Sequence, residues 1–229
     1  MTVLPGIGGV PDGARSVPSA SYIGLVSSTS TATNRTFASA GIGSAPPNPG
    51  DVRTILLVFA ASAAGTSAKT VSSVTVGGVS ATKVLETSHA PSDWATLSFW
   101  VVDVPDFGSV ADIVANWSGS QDRCVCAIYS LTNMSKTLID SASGSAATQS
   151  LDVNTVANGF AVGGSFTSNS ASISWTGLTS NATAAIDGTE RYGFASAATV
   201  AATPRTVTAT RGATSDARAA GAISLGPGL

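Results

Sequence analysis

Charge is what this chain has least of. Asp, Glu, Lys and Arg make up only 10% of its 229 residues, against about 25% in an average soluble domain. The formal net charge is -2, and the eight arginines and three lysines (Lys69, Lys83 and Lys136) form no cluster. A nucleic-acid partner needs a basic patch or stripe, so none is expected. Long apolar runs are missing as well. The longest, Ile55 to Ala61, falls far short of the ~20 residues that span a bilayer as a helix, and no membrane insertion is expected. The first twenty residues carry Pro5, Pro11 and Pro18 and no apolar signal-peptide core, so the expectation is synthesis in a cytoplasm without a secretory leader. No window of eleven or more residues combines helical periodicity with recognisable caps, which excludes a parallel α/β fold. Disorder is excluded too, because 43% of the residues are hydrophobic and net charge is low.

Polarity comes instead from Ser, Thr, Asn and Gly, between short β-branched and aromatic runs bounded by turn residues. Strands are predicted over Tyr22–Val26, Arg53–Ala61, Val71–Val76, Ala81–Glu86, Ala95–Val104, Val110–Trp117 and Arg123–Leu131. They continue over Ser150–Val153, Gly159–Phe166, Ala171–Thr176, Arg191–Ala198, Arg205–Thr210 and Ala217–Leu225. Gly77-Gly78 predicts a hairpin turn. Many short strands without intervening helices give the fold class: all-β, an antiparallel β-sandwich, jelly-roll-like. Prolines and glycines before Tyr22 predict an extended N-terminal arm over 1–20, leaving 21–229 as the sandwich domain. Gly41 to Gly50 is read as a loop. The likeness of GIGGVP at Gly6 to GIGSAP at Gly41 is too short to count as a repeat.

Chemistry is sparse. His89 is the one histidine, in a loop-like stretch with Ser88, Ser92 and Asp93. Neighbours in a loop do not supply triad geometry, so a solvated histidine is expected. Cys124 and Cys126 are two apart and share one face of a strand. A disulfide between them would be strained, and two small buried thiols are expected. With His89 they are too few for structural zinc. Asp103 with Asp106, and Asp187 with Glu190, match no EF-hand calcium loop and read as polar loop residues. Glu86 and Glu190 are the only glutamates, and any pairing of them as glycosidase carboxylates would be arbitrary. Trp94, Trp100, Trp117 and Trp175 could stack on sugar rings if they faced outward, but packing is the expectation. Asn34, Asn116, Asn133 and Asn181 head N-x-S/T triplets of the kind a Ser/Thr-rich chain produces by chance. No catalytic residue, cofactor-binding residue or metal ligand is assigned, and no cofactor is implied.

One succession of segments carries a resemblance: Gly50-Asp51 before ILLVFAAS, SVTVGGVSATKV from Ser73 to Val84, the aromatic run Ala95 to Ser120, and CVCAIYSLTN from Cys124 to Asn133. With the closing strand Ala217 to Leu225, it resembles a β-sandwich module of tailed-bacteriophage virion proteins (head or tail accessory proteins) and of some bacterial surface proteins. The resemblance covers residues 20 to 229 and implies a fold and a virion setting; it brings no catalytic residues. It implies a non-enzymatic structural protein, a capsid decoration or tail component, forming homo-oligomers and contacting other virion proteins. The arm would serve for docking. The alternative is a carbohydrate-binding module for host attachment through a surface glycan. A polysaccharide hydrolase using Glu86 or Glu190 ranks below both.

Overall fold

The structure is a computed structural model. It describes residues 15–228 except 49, 65–66, 90–92, 105–107, 147, 170, 187–189, 200 and 212–217, and the side chain of Asp93. Most of the expected arm, residues 1–14, lies outside the described residues, and the expected sandwich already starts before residue 21. Ser19 and Ala20 pair with Thr132 and Leu131.

All regular structure among the described residues is β. The strands are β1 (Ser19–Ser28), β2 (Ala32–Gly41), β3 (Arg53–Ala64), β4 (Val71–Val76), β5 (Val79–Ser80), β6 (Thr82–His89), β7 (Asp93–Val104), β8 (Val110–Gln121) and β9 (Arg123–Thr132). After Asn133 follow β10 (Met134–Gly144), β11 (Thr148–Asn154), β12 (Gly159–Thr167), β13 (Ile173–Thr176), β14 (Thr179–Ile186), β15 (Glu190–Thr199), β16 (Pro204–Arg211) and β17 (Arg218–Pro227). The β4–β5 turn at Gly77-Gly78 has positive φ at both glycines, as a tight two-residue hairpin requires. The Gly41–Gly50 loop is confined to the residues after β2, since Gly41 still pairs with Val110.

Every strand pairing is antiparallel, in four sheets. Their orders are β2-β8-β4-β5, β1-β9-β3-β7-β6, β10-β17-β12-β15-β14 and β11-β16-β13. Three apolar cores separate them, so the sheets stack as four layers. The first core joins the first two sheets through Phe37, Leu57, Phe59, Trp94, Trp117 and Ile128. The second lies between the two five-stranded sheets, with Val58, Leu97, Phe99, Tyr129, Phe166, Tyr192 and Phe194. The third, under the outermost sheet, contains Leu151, Val153, Ala161, Val207 and Ala222. The single sandwich expected over 21–229 is thus resolved into two sheet pairs, β1–β9 and β10–β17, pressed together through their five-stranded sheets.

The sequence logic follows from the layering. β3 reads RTILLVFAASAA and is buried on both faces almost throughout, because each face meets a different core. β8 has one wet face, and its burial alternates residue by residue.

Candidate functional site

A connected group of polar side chains gathers at the junction of the two halves. Asn133 links β9 to β10 in the left-handed region, φ 53, which asparagine tolerates better than most residues. Its N–H donates to the Val52 carbonyl (2.9 Å), and its own carbonyl accepts from Gly228 N–H (2.7 Å). Its Oδ1 accepts from Val52 N–H (3.0 Å), and its Nδ2 donates to the Ser16 carbonyl and to Asp51 Oδ1, both 2.8 Å. Asp51 in turn accepts from Ser16 N–H (2.9 Å) and from the Ser16 hydroxyl (2.6 Å). Asn48 Nδ2 donates to Ser16 Oγ at 2.8 Å. Donors converging on the carboxylate from Ser16 and Asn133 hold Asp51 down at about 2. The chain at residue 16 is therefore tied to the first half and to the link between the halves.

Beside this clamp opens a cleft of about 300 Å³ lined by Arg15, Val52, Asp103, Asn133, Lys136 and Gly228, among others. On its wall Lys136 Nζ pairs with Asp103 at 2.6 Å, and Thr54 donates to the same carboxylate at 2.6 Å. Val17 and Val52 are exposed nearby in sequence. The Lys136 and Asp103 charges on this wall thus neutralise each other.

A second polar knot is buried between the five-stranded sheets. Glu190 accepts from Ser62 Oγ (2.5 Å) and Tyr192 OH (2.8 Å) through Oε2, and from Arg123 Nη1 (3.2 Å) through Oε1. Ser62 and Arg123 belong to the first half, Glu190 and Tyr192 to the second. Burial and the neighbouring Glu190 carboxylate push the Tyr192 hydroxyl well up, so it remains a donor. Glu190 is thus a structural carboxylate rather than the loop residue expected beside Asp187, which lies outside the described residues.

The other residues singled out in the sequence are dispersed. His89 ends β6 instead of lying in a loop; its Nδ1 accepts from Arg218 N–H at 3.3 Å. Burial and the Arg218 and Arg211 guanidiniums hold its pKa below the usual value. Ser88 pairs with Thr96 in the same ladder; Ser92 and the Asp93 side chain lie outside what the structure describes. Glu86 accepts from Val71 N–H (2.9 Å) and pairs with Lys83 (3.1 Å). Asp106 also lies outside the described residues. Cys124 and Cys126 are free and buried on one face of β9, and burial pushes the Cys124 thiol up to about 12. Trp94, Trp100 and Trp117 are buried; Trp175 is half-buried. Among the described residues no aromatic side chain is fully exposed, and Tyr22 and Trp175 are half-buried. Asn116 Nδ2 donates to Ser73, Asn181 accepts from Tyr129 OH, and Asn34 pairs in the edge strand β2. No group of three or more His, Cys, Asp or Glu able to hold a metal ion occurs among the described residues. No helix of the described residues is long and apolar enough to cross a membrane.

The chain matches no protein-family model, no curated protein and no solved structure.

Proposed function

We propose that this chain is a non-enzymatic structural protein of a tailed phage or phage-like particle, displayed on head or tail and docked through the segment that precedes β1. The observation that carries the reading is the Ser16–Asp51–Asn133 clamp. A segment that only trailed from the body would need no such root. Here hydrogen bonds among Ser16, Asn48, Asp51, Val52 and Asn133 anchor the chain at Ser16, so a pull on the segment before it would be transmitted to the first half and to the link between the halves. Copies assembled side by side would gain from such an arm by avidity. The strand order supports a jelly-roll reading of the first half. β1-β9-β3-β7 faces β2-β8-β4-β5, the arrangement in which eight strands form two Greek keys. The low charge and the Ser/Thr coat suit a protein that must stay soluble and non-adhesive.

Immunogold electron microscopy of particles from a source lysate tests the reading. Label at one fixed place on heads or tails is the expected result; unlabelled particles in a lysate rich in the protein would overturn it. Deleting residues 1–14 leaves the clamp intact, and should abolish incorporation while the body stays folded. A truncated chain that still entered particles would remove the docking role from the arm.

A further inference from the structure

Matched strand for strand, the two sheet pairs repeat one design. Let β1, β2, β3, β4, β6, β7, β8 and β9 correspond in order to β10 through β17. The sheet orders β1-β9-β3-β7-β6 and β10-β17-β12-β15-β14 then coincide, as do β2-β8-β4 and β11-β16-β13. Among the described residues the two-residue β5 has no counterpart.

The register repeats too. Val58, sixth in β3, lies between Phe99 and Ala127; Gly164, sixth in β12, lies between Phe194 and Gly221. One rung on, Ala60 sits between Leu97 and Val125 as Phe166 sits between Tyr192 and Ala219. β1 touches β14 and β6 touches β10, which under the match is one contact seen from its two sides. Elsewhere the seam is lopsided, with β6 and β7 packed closely on β17 and, among the described residues, no comparably close contact of β14 or β15 with β9. At the centre, a Cβ on Gly164 would lie 3.0 Å from Val58 Cγ1. Matched positions that touch each other mark a two-fold axis, as in an isologous dimer.

The mating faces are not alike. The first half presents Val58, Leu97 and Phe99. Opposite them the second half has glycines: a Cβ on Gly164 would also lie 2.9 Å from Leu97 Cδ1, and one on Gly221 3.0 Å from Phe99 Cε2. Two copies of the first face would force valine against valine on the axis. They would also offer Ala95, the match of Glu190, where Arg123 now meets a carboxylate. Two copies of the second face would leave a hollow.

We propose that the chain is a fused pseudo-dimer, one sandwich module duplicated and closed face to face. At the centre its two inner surfaces have diverged into a knob at Val58 and a hole at Gly164 and Gly221, so there each fits the other half and rejects its own kind. The inference does not depend on where the protein acts.

The test is an exchange across the axis in the full chain. Val58→Gly opens a cavity and Gly164→Val overpacks the seam; each alone should lower Tm by roughly 5 °C or more. The double variant carries the same pair of side chains on swapped sides, and should recover more than half of the summed loss. The corresponding exchange of Phe99 and Gly221, which touch but are not matched positions, should not be rescued. Additive losses at 58 and 164, or equal rescue at both pairs, would overturn the two-fold relation. Should Gly164→Val fail to fold, Gly164→Ala with Val58→Ala is scored the same way.

Discussion

The outer core of the first half is filled by Trp94, Trp100, Trp117, Phe37 and Phe59. The corresponding core of the second half is held by Leu151, Val153 and Val207 and by alanines at 161, 195, 209, 220 and 222, with Trp175 laid over the glycines at 163 and 193. The same strand order is thus closed with large aromatics in one half and with small side chains in the other. Burial of apolar surface scales with side-chain size, so the second sandwich has much less of its own to hold it. Its five-stranded sheet is stabilised mainly from the other side, by the shared middle core with Phe160, Phe166, Tyr192 and Phe194. Topology alone therefore does not set stability: the second half depends on the first.

The largest expected effect sharpens that contrast. Trp117→Ala, in the first outer core, should cost about 3–5 kcal/mol in denaturant unfolding. Trp175→Ala, at the half-buried position in the second half, should cost well under half as much. The reverse ranking would remove the distinction between the cores. Next comes the seam: Glu190→Ala removes the carboxylate that accepts from Ser62, Arg123 and Tyr192 between the sheets and should cost about 3 kcal/mol, whereas Glu190→Gln keeps an acceptor oxygen and should lose less. Equal losses would mean that the Glu190 charge carries the whole contribution.

A smaller change probes the thin core directly. A Cβ on Gly163 would lie 2.7 Å from Trp175 Cζ3, so Gly163→Ala should lift the indole at a cost of about 1–3 kcal/mol. Trp175→Leu in the same chain should relieve part of it, as a double-mutant cycle would register.

The smallest effect concerns the clamp. Asp51 is held at about 2 against an ordinary 3.8, so its hydrogen bonds contribute fully above the ordinary value, and the contribution fades as pH falls from there toward 2. Amide exchange at Ser16 and Val52, corrected for intrinsic rates, should therefore accelerate over that acidic range in the parent chain. In Asp51→Asn it should already be fast at neutral pH. Parent amides that keep their protection down to about pH 2 would contradict the role given to the carboxylate.

Much of the fold was legible in the sequence, and the misses have a common cause. The strands with no sequence signal are β2, β5, β10 and β14, and each lies at the edge of its sheet. An edge strand has one neighbour and more exposed side chains, so MSKTLIDSASG and TSNATAAI show no clear apolar alternation. Central strands such as β3 and β9 are dense in Ile, Leu, Val and Phe or in small buried groups, and were plain. The stretch around His89 has a loop-like sequence, yet the ladder runs through it to the pairing with Ala95. The clamp was invisible for a different reason. Ser16, Asp51 and Asn133 are ordinary polar residues, separated by 35 and 82 positions, and only the fold brings them together. The duplication was hidden by the divergence that makes it work: Phe99 and Phe194 agree, but Val58 faces its match as Gly164, and Ala127 corresponds to Gly221.

Native-state hydrogen exchange on the full chain, resolved by strand, tests the dependence of the second half on the first most directly. The account predicts that β11, β13 and β16 exchange through an opening of lower free energy than β2, β4 and β8, while β3, β9, β12 and β17 open only with global unfolding. Equal protection of the two outer sheets, or an outer sheet of the second half that outlasts that of the first, would contradict it.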